Sequence, residues 1–173
     1  MKRTFVLLIL TSSLLFGAGE LSHRRAPGFS IFDAVMQQHD LYDYHGKYVI
    51  IEFMQTHCPH CITFGGIMEK MLSTRRGKVT ALSITVPPDT LDTVRDYIKT
   101  NSITVPVLFD CGQVAASYLK QGPTSPHITL PHVFLIDPAG MIVNDWAYGT
   151  GNEAIFEGDG LAKEVDRLLA GKK

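Results

Sequence analysis

The chain has 173 residues, the length of one domain, with 45% apolar and 19% charged residues. That globular balance excludes a mostly disordered chain. Sixteen basic against seventeen acidic residues leave a formal charge of −1, so no whole-molecule field draws nucleic acid. Three cysteines are too few for a disulfide-stapled miniprotein, and a core of this size needs no staple.

Residues 1–19 read as a secretory signal peptide. Lys2 and Arg3 open it, Thr4 to Phe16 is an apolar run broken by Thr11, Ser12 and Ser13, and Gly17, Ala18 and Gly19 offer a cleavage site. The run is shorter than the roughly 20 residues that span a bilayer; an uncleaved membrane anchor is the minor alternative. Cleavage takes the charge from −1 to −3. The expectation is an exported protein, periplasmic or otherwise extracytoplasmic. Residues 20–25 show no periodicity and predict a flexible leader, with one domain over 26–173.

Within that domain, Gly28 to Phe32 predicts a short edge strand and Leu41 to Lys47 a connector. Tyr48 to Met54 is a near-continuous apolar run with Glu52 inside it, the pattern of a central strand buried on both faces. A helix follows with Phe64, Ile67, Met68, Met71 and Leu72 on one stripe, then a strand over Val79 to Thr85. Asp89 is placed to cap a second helix whose stripe is Leu91, Val94 and Ile98. Further on come a strand at Val105 to Phe109, a helix at Gln113 to Leu119 and a Pro-rich loop at Gln121 to His127. Thr129 to Ile136 and Met141 to Tyr148 form a hairpin about Asp137-Pro138-Ala139-Gly140. Leu161 to Ala170 is the last helix. The order predicts an α/β fold, a mixed central sheet flanked by helices.

Cys58-Pro59-His60-Cys61, between a buried strand and a helix, carries the chemistry. Two cysteines three apart at a helix start share a face, close enough for a disulfide. Pro59 suits the first helical position, and the dipole end, with a protonated His60 beside it, stabilises a Cys58 thiolate. The pattern predicts a redox dithiol in which Cys58 is the nucleophile and Cys61 resolves. A structural disulfide or half of a zinc site is the alternative, although no second Cys pair completes four ligands.

Ala26-Pro27-Gly28-Phe29, Leu41 to Lys47 and Val49 to Phe53 ahead of the Cys pair, with Ile103 to Asp110 and Leu130 to Gly140 later, resemble TlpA/ResA-type thioredoxin-fold proteins. The resemblance covers nearly all of Ala26 to Ala170. It implies a thioredoxin-like fold with an extra N-terminal strand and a central insertion. It further implies an exported thiol–disulfide oxidoreductase needing no cofactor, with thiol- or disulfide-bearing client proteins and a redox partner that recycles the dithiol. By position, Pro131 matches a cis-proline facing the dithiol, and Leu130, Pro131 and Pro59 would meet the substrate. Glu52 matches a buried acid whose pKa burial should raise and which accepts the Cys61 proton; a pairing with a lysine at the sheet end is the alternative.

Departures bear on direction. His57 stands where that family keeps Trp, and the intervening Pro-His is similar to the oxidant DsbA. Cys111 is expected to be a buried inert thiol, and Trp146 a core residue. His57, His60 and His132 are expected to cluster around the dithiol, which keeps a copper- or zinc-handling function open. His23, His39, His45 and His127 are expected at the surface. A peroxiredoxin-like peroxidase is the third reading, but it wants Thr and Pro where Gln55 and Ile51 stand.

Overall fold

The computed structural model describes residues 19–75, 77–121 and 127–171. All but the last residue of the expected signal peptide and most of the Pro-rich loop lie outside them. The apolar run forms β4 (Tyr48–Met54), buried at every residue. It runs parallel to β5 (Val79–Thr85) and antiparallel to β7 (His132–Ile136). With β1 (Arg24–Arg25), β6 (Val107–Phe109) and β8 (Met141–Ala147) the sheet order is β1-β8-β7-β4-β5-β6. A separate hairpin of β2 (Ser30–Phe32) and β3 (Gln38–Asp40) reaches β6 through a bridge from Asp33 to Leu108.

Alternation along β4 divides the core. Tyr48, Ile50 and Met54 pack with α1 (Pro59–Ser73), α2 (Leu91–Asn101), α4 (Glu153–Glu157) and α5 (Gly160–Ala170). Val49, Ile51 and Phe53 pack on the opposite face with α3 (Gln113–Leu119). There Tyr118 meets Phe53 and Phe134 with ring centroids 5.5 and 5.2 Å apart. A fully buried side chain of this size contributes roughly 1.5–3 kcal/mol, so packing rather than its own short length holds α3.

Several expectations change. The leader is not loose: Arg24 and Arg25 pair with Ile142 and Met141. Asp145 Oδ1 accepts from the Leu21 N–H at 3.0 Å and the Ser22 hydroxyl at 2.7 Å, and the Arg24 guanidinium donates to the Leu21 and Tyr118 carbonyls. Backbone pairing and a buried carboxylate hold the arm, and neither leaves a periodicity to read. Two strands start late, at Val107 and His132, because a proline without an N–H donor precedes each. Asp89 does not cap α2. Thr90 does, in a reciprocal box with Thr93, and Asp89 turns instead toward Thr56.

Candidate active site

Beyond Met54 the chain makes one turn, closed by the Cys58 N–H donating to the Gln55 carbonyl at 3.1 Å. Cys58 is the N-cap of α1 with Pro59 at its first turn, and its Sγ accepts the Cys61 N–H at 3.3 Å. The sulfur therefore lies among unpaired N–H groups at the positive end of the helix, where negative charge is best accommodated. Both cysteines are free thiols, Cys58 half-buried and Cys61 fully enclosed. One thiol meets solvent and its partner does not.

Under Cys61 lies Glu52, completely buried on the same face of β4 as Ile50 and Met54. Its Oε2 accepts from the Ser83 hydroxyl at 2.8 Å, while Oε1 has no partner among the described residues. Burial pushes the Glu52 carboxyl up to about 8, against the lowering effect of Ser83. Burial first, and then the Glu52 charge, push the Cys61 thiol far above its ordinary value. Tyr97 of α2 is also raised, by burial and next by Glu52. Its hydroxyl occupies the space beside Gly65, where an added Cβ would lie 2.6 Å from it. Burial thus opposes charge on every member of this cluster.

The Leu130–Pro131 peptide is cis. Antiparallel pairing of Phe53 with His132 places Pro131 level with Met54, the last residue of β4, at the dithiol end of the sheet. Leu130 packs against both halves of the core and helps line a groove of about 360 Å³ with Gln55, Pro87 and Ile128. Pro59 is exposed.

His60 stacks on Tyr148 with ring centroids 3.9 Å apart, and its Nδ1 lies 3.8 Å from Glu157 Oε1. The Tyr148 hydroxyl donates to the same oxygen at 2.7 Å, and this bond above all raises Tyr148 to about 12. Tyr148 and Glu157 were not among the residues the sequence singled out. Glu157 belongs to the short α4, whose five residues carry too little periodicity to announce it.

Of the three histidines expected around the dithiol, His132 turns away. His132 shares its side of β7 with Phe134, on which it stacks at 4.7 Å, and bonds Asp145 at 3.3 Å on the sheet face away from α1. Among the described residues no group of three or more His, Cys, Asp or Glu side chains is arranged to hold a metal ion. His39 is not a surface residue: it is buried, with Nε2 3.0 Å from Asp33 and Nδ1 2.6 Å from the Tyr44 hydroxyl. Cys111 is exposed rather than buried. Asp110 turns inward to accept the Val114 and Ala115 N–H groups, and Gly112 follows at φ 102, so the residue between them faces out. Trp146 is buried in the core.

Comparison with known proteins agrees with this architecture. The AhpC/TSA family model matches residues 23–144, and the chain belongs to that family. No curated protein sequence matches the chain. Among solved structures, it is similar to a thiol:disulfide interchange protein of the thioredoxin family from Chlorobium tepidum TLS, at 23% identity and TM-score 0.68 over 84% of this chain and 94% of that one. The thioredoxin domain of a thiol-disulfide oxidoreductase from Bacteroides vulgatus gives 19% identity and TM-score 0.68 over 86% and 97%. A secreted Mycobacterium tuberculosis disulfide oxidoreductase homologous to E. coli DsbE gives 17% and 0.66 over 80% and 95%. The fold is thioredoxin-like, as the sequence implied.

Proposed function

We propose that the chain is an exported thiol–disulfide oxidoreductase that exchanges disulfides with client proteins through Cys58 and Cys61. The observation that carries this reading is the asymmetry of the pair: an accessible sulfur capping α1, and an enclosed thiol above a buried carboxyl. In the reducing direction the Cys58 thiolate attacks a client disulfide. One client sulfur leaves and takes a proton from solvent. Cys61 then attacks Cys58 Sγ, the second client sulfur leaves, and the Cys61 proton passes to Glu52. In the oxidising direction the same steps reverse, and Glu52 returns the proton to Cys61. A carboxyl at about 8 is suited to both transfers near neutral pH. The two electrons stay on sulfur throughout, so the reaction as written uses no cofactor. Leu130 borders the groove in which an extended client would lie, with Pro131 next to it in the chain, and Pro59 stands exposed beside the nucleophile in sequence.

The test is trapping. Cys61→Ser should accumulate mixed disulfides with client proteins, and Cys58→Ser almost none. Equal trapping by both variants, or trapping that requires Cys111, would remove Cys58 from its role. Peroxide consumption, measured beside insulin reduction, should be negligible; rapid turnover of peroxide would favour the peroxidase reading instead.

A further inference from the structure

The turn before the dithiol carries a second polar chain that the mechanism above leaves unused. Thr56 is buried, its N–H donates to Asp89 Oδ2 at 2.8 Å, and its hydroxyl donates to Asp89 Oδ1 at 2.5 Å. Asp89 Oδ1 also lies 3.2 Å from the Thr93 hydroxyl, in the first turn of α2. A hydroxyl has one proton. Having given it to Asp89, Thr56 Oγ1 accepts in its 3.0 Å contact with His57 Nδ1. Nδ1 is therefore a donor whether the ring is neutral or charged, and Nε2 is the nitrogen that gains and loses a proton. His57 is exposed, adjoins Cys58 in sequence, and lines a groove of about 260 Å³ with Ile62, Thr93 and Asp96.

We infer that His57, oriented by Thr56 and Asp89, is the acid–base residue for the client's own sulfur. This rests on the disulfide exchange proposed above. When a client thiol attacks the oxidised pair, its proton passes to His57 Nε2 and its sulfur bonds Cys58 Sγ. The Cys58–Cys61 bond breaks, and Cys61 leaves with the electron pair and takes the Glu52 proton. The oxidant is the protein's own disulfide. In the reverse direction an imidazolium at His57 protonates the departing client sulfur. Each half of the exchange then has its own proton carrier, Glu52 for the enclosed sulfur and His57 for the client's. Thr56 and Asp89 are positioning residues.

The test is the rate at which the full chain, pre-oxidised, oxidises small thiols of graded acidity at pH 7. A base matters most for a thiol that holds its proton. His57→Gln should slow 2-mercaptoethanol about tenfold, below the ~10²–10⁴ usual for general acid–base catalysis because some thiolate is already present. The acidic trifluoroethanethiol should slow less than twofold. Thr56→Val and Asp89→Asn should show the same selectivity in weaker form, and added imidazole should restore part of the rate in His57→Ala. Equal slowing of every thiol, or none, would overturn the role of His57; since that side chain is exposed, His57→Gln decides even if Asp89→Asn unfolds. An unsubstituted protein that oxidises neither small thiols nor reduced insulin would instead remove the exchange reading itself.

Discussion

Replacing Glu52 by Gln tests the buried acid through the pH dependence of folding. In the folded chain the carboxyl is held at about 8 against an ordinary 4.5, chiefly by burial. The folded state therefore keeps a proton that the unfolded chain releases as pH rises above 4.5, and stability must fall with rising pH across that window. From 4.5 to about 8, at about 1.4 kcal/mol per pH unit, the loss amounts to about 4–5 kcal/mol. Above that range both states are ionised and the dependence stops. Against a total of roughly 5–15 kcal/mol for a domain, this is a large share. In Glu52→Gln the amide keeps an acceptor for Ser83 but cannot ionise. Its new N–H protons face the place of the unpartnered Oε1, which adds a constant offset of roughly 1–3 kcal/mol and no slope. Urea denaturation of both proteins under a phosphine reductant, from pH 4 to 9, gives the difference curve. The stability of the variant relative to the unsubstituted protein should rise with pH through the window and level off above it. A flat difference between pH 5 and 8 would mean that Glu52 ionises normally in the fold, and the proton transfer to and from Cys61 would lose its carrier.

Three further substitutions probe the surroundings. Gly65→Ala sets a methyl 2.6 Å from the Tyr97 hydroxyl, and overpacking of this kind should lower stability by about 1–3 kcal/mol; an unchanged urea midpoint would show that Tyr97 moves freely. His60→Pro removes a half-exposed imidazole two residues from Cys58; an exposed ion pair of up to ~1 kcal/mol corresponds to about 10–20 mV, so a glutathione titration should find the variant more reducing by that amount, and an unmoved or raised potential would refute it. Burial works to raise the Asp145 carboxyl, but bonds from His132 and Ser22 prevail and hold it below 3.8. Its stabilisation is then present above that pH and lost as pH falls through the folded value. Asp145→Asn should flatten the acid limb below about pH 4 and speed tryptic cleavage at Arg24 and Arg25, whereas unchanged cleavage would detach Asp145 from the arm.

What could be read from the sequence was set by the range of the interactions involved. β4, α1 and the hairpin of β7 and β8 are written in local pattern: an apolar run, a 3.6-residue stripe and a Pro-Ala-Gly turn. The dithiol was legible for the same reason, since Cys58 and Cys61 are three residues apart on one helix. Glu52 was legible because an acid inside a buried strand is itself an anomaly. The misses are contacts between distant segments. Asp145 holding Leu21 and Ser22, Glu157 beneath His60, Asp89 reaching back to Thr56 and His39 enclosed by Asp33 and Tyr44 each depend on which elements become neighbours. His132 shows the limit well. Its place beside Pro131 suggested the dithiol, but alternation along β7 turns it to the opposite face.

The two cysteines share one turn of helix and meet opposite physics. Cys58 lies at the solvent-facing start of the helix, among unpaired N–H groups where negative charge is best accommodated. Cys61 and Glu52 lie in the core, where a charge on either is opposed by burial and by the other. Reduction of the pair then adds charge only at the solvent end, because Cys61 gains an electron and a proton together and stays neutral. The potential then depends on what surrounds Cys58, and there the terms conflict. A protonated imidazole at His57 or His60 would favour a thiolate, whereas Glu157, bonded by Tyr148 and 3.8 Å from His60, would offset part of any His60 charge. On the proposed exchange, substitutions among these exposed side chains should alter the potential and leave the proton transfer through Glu52 unchanged.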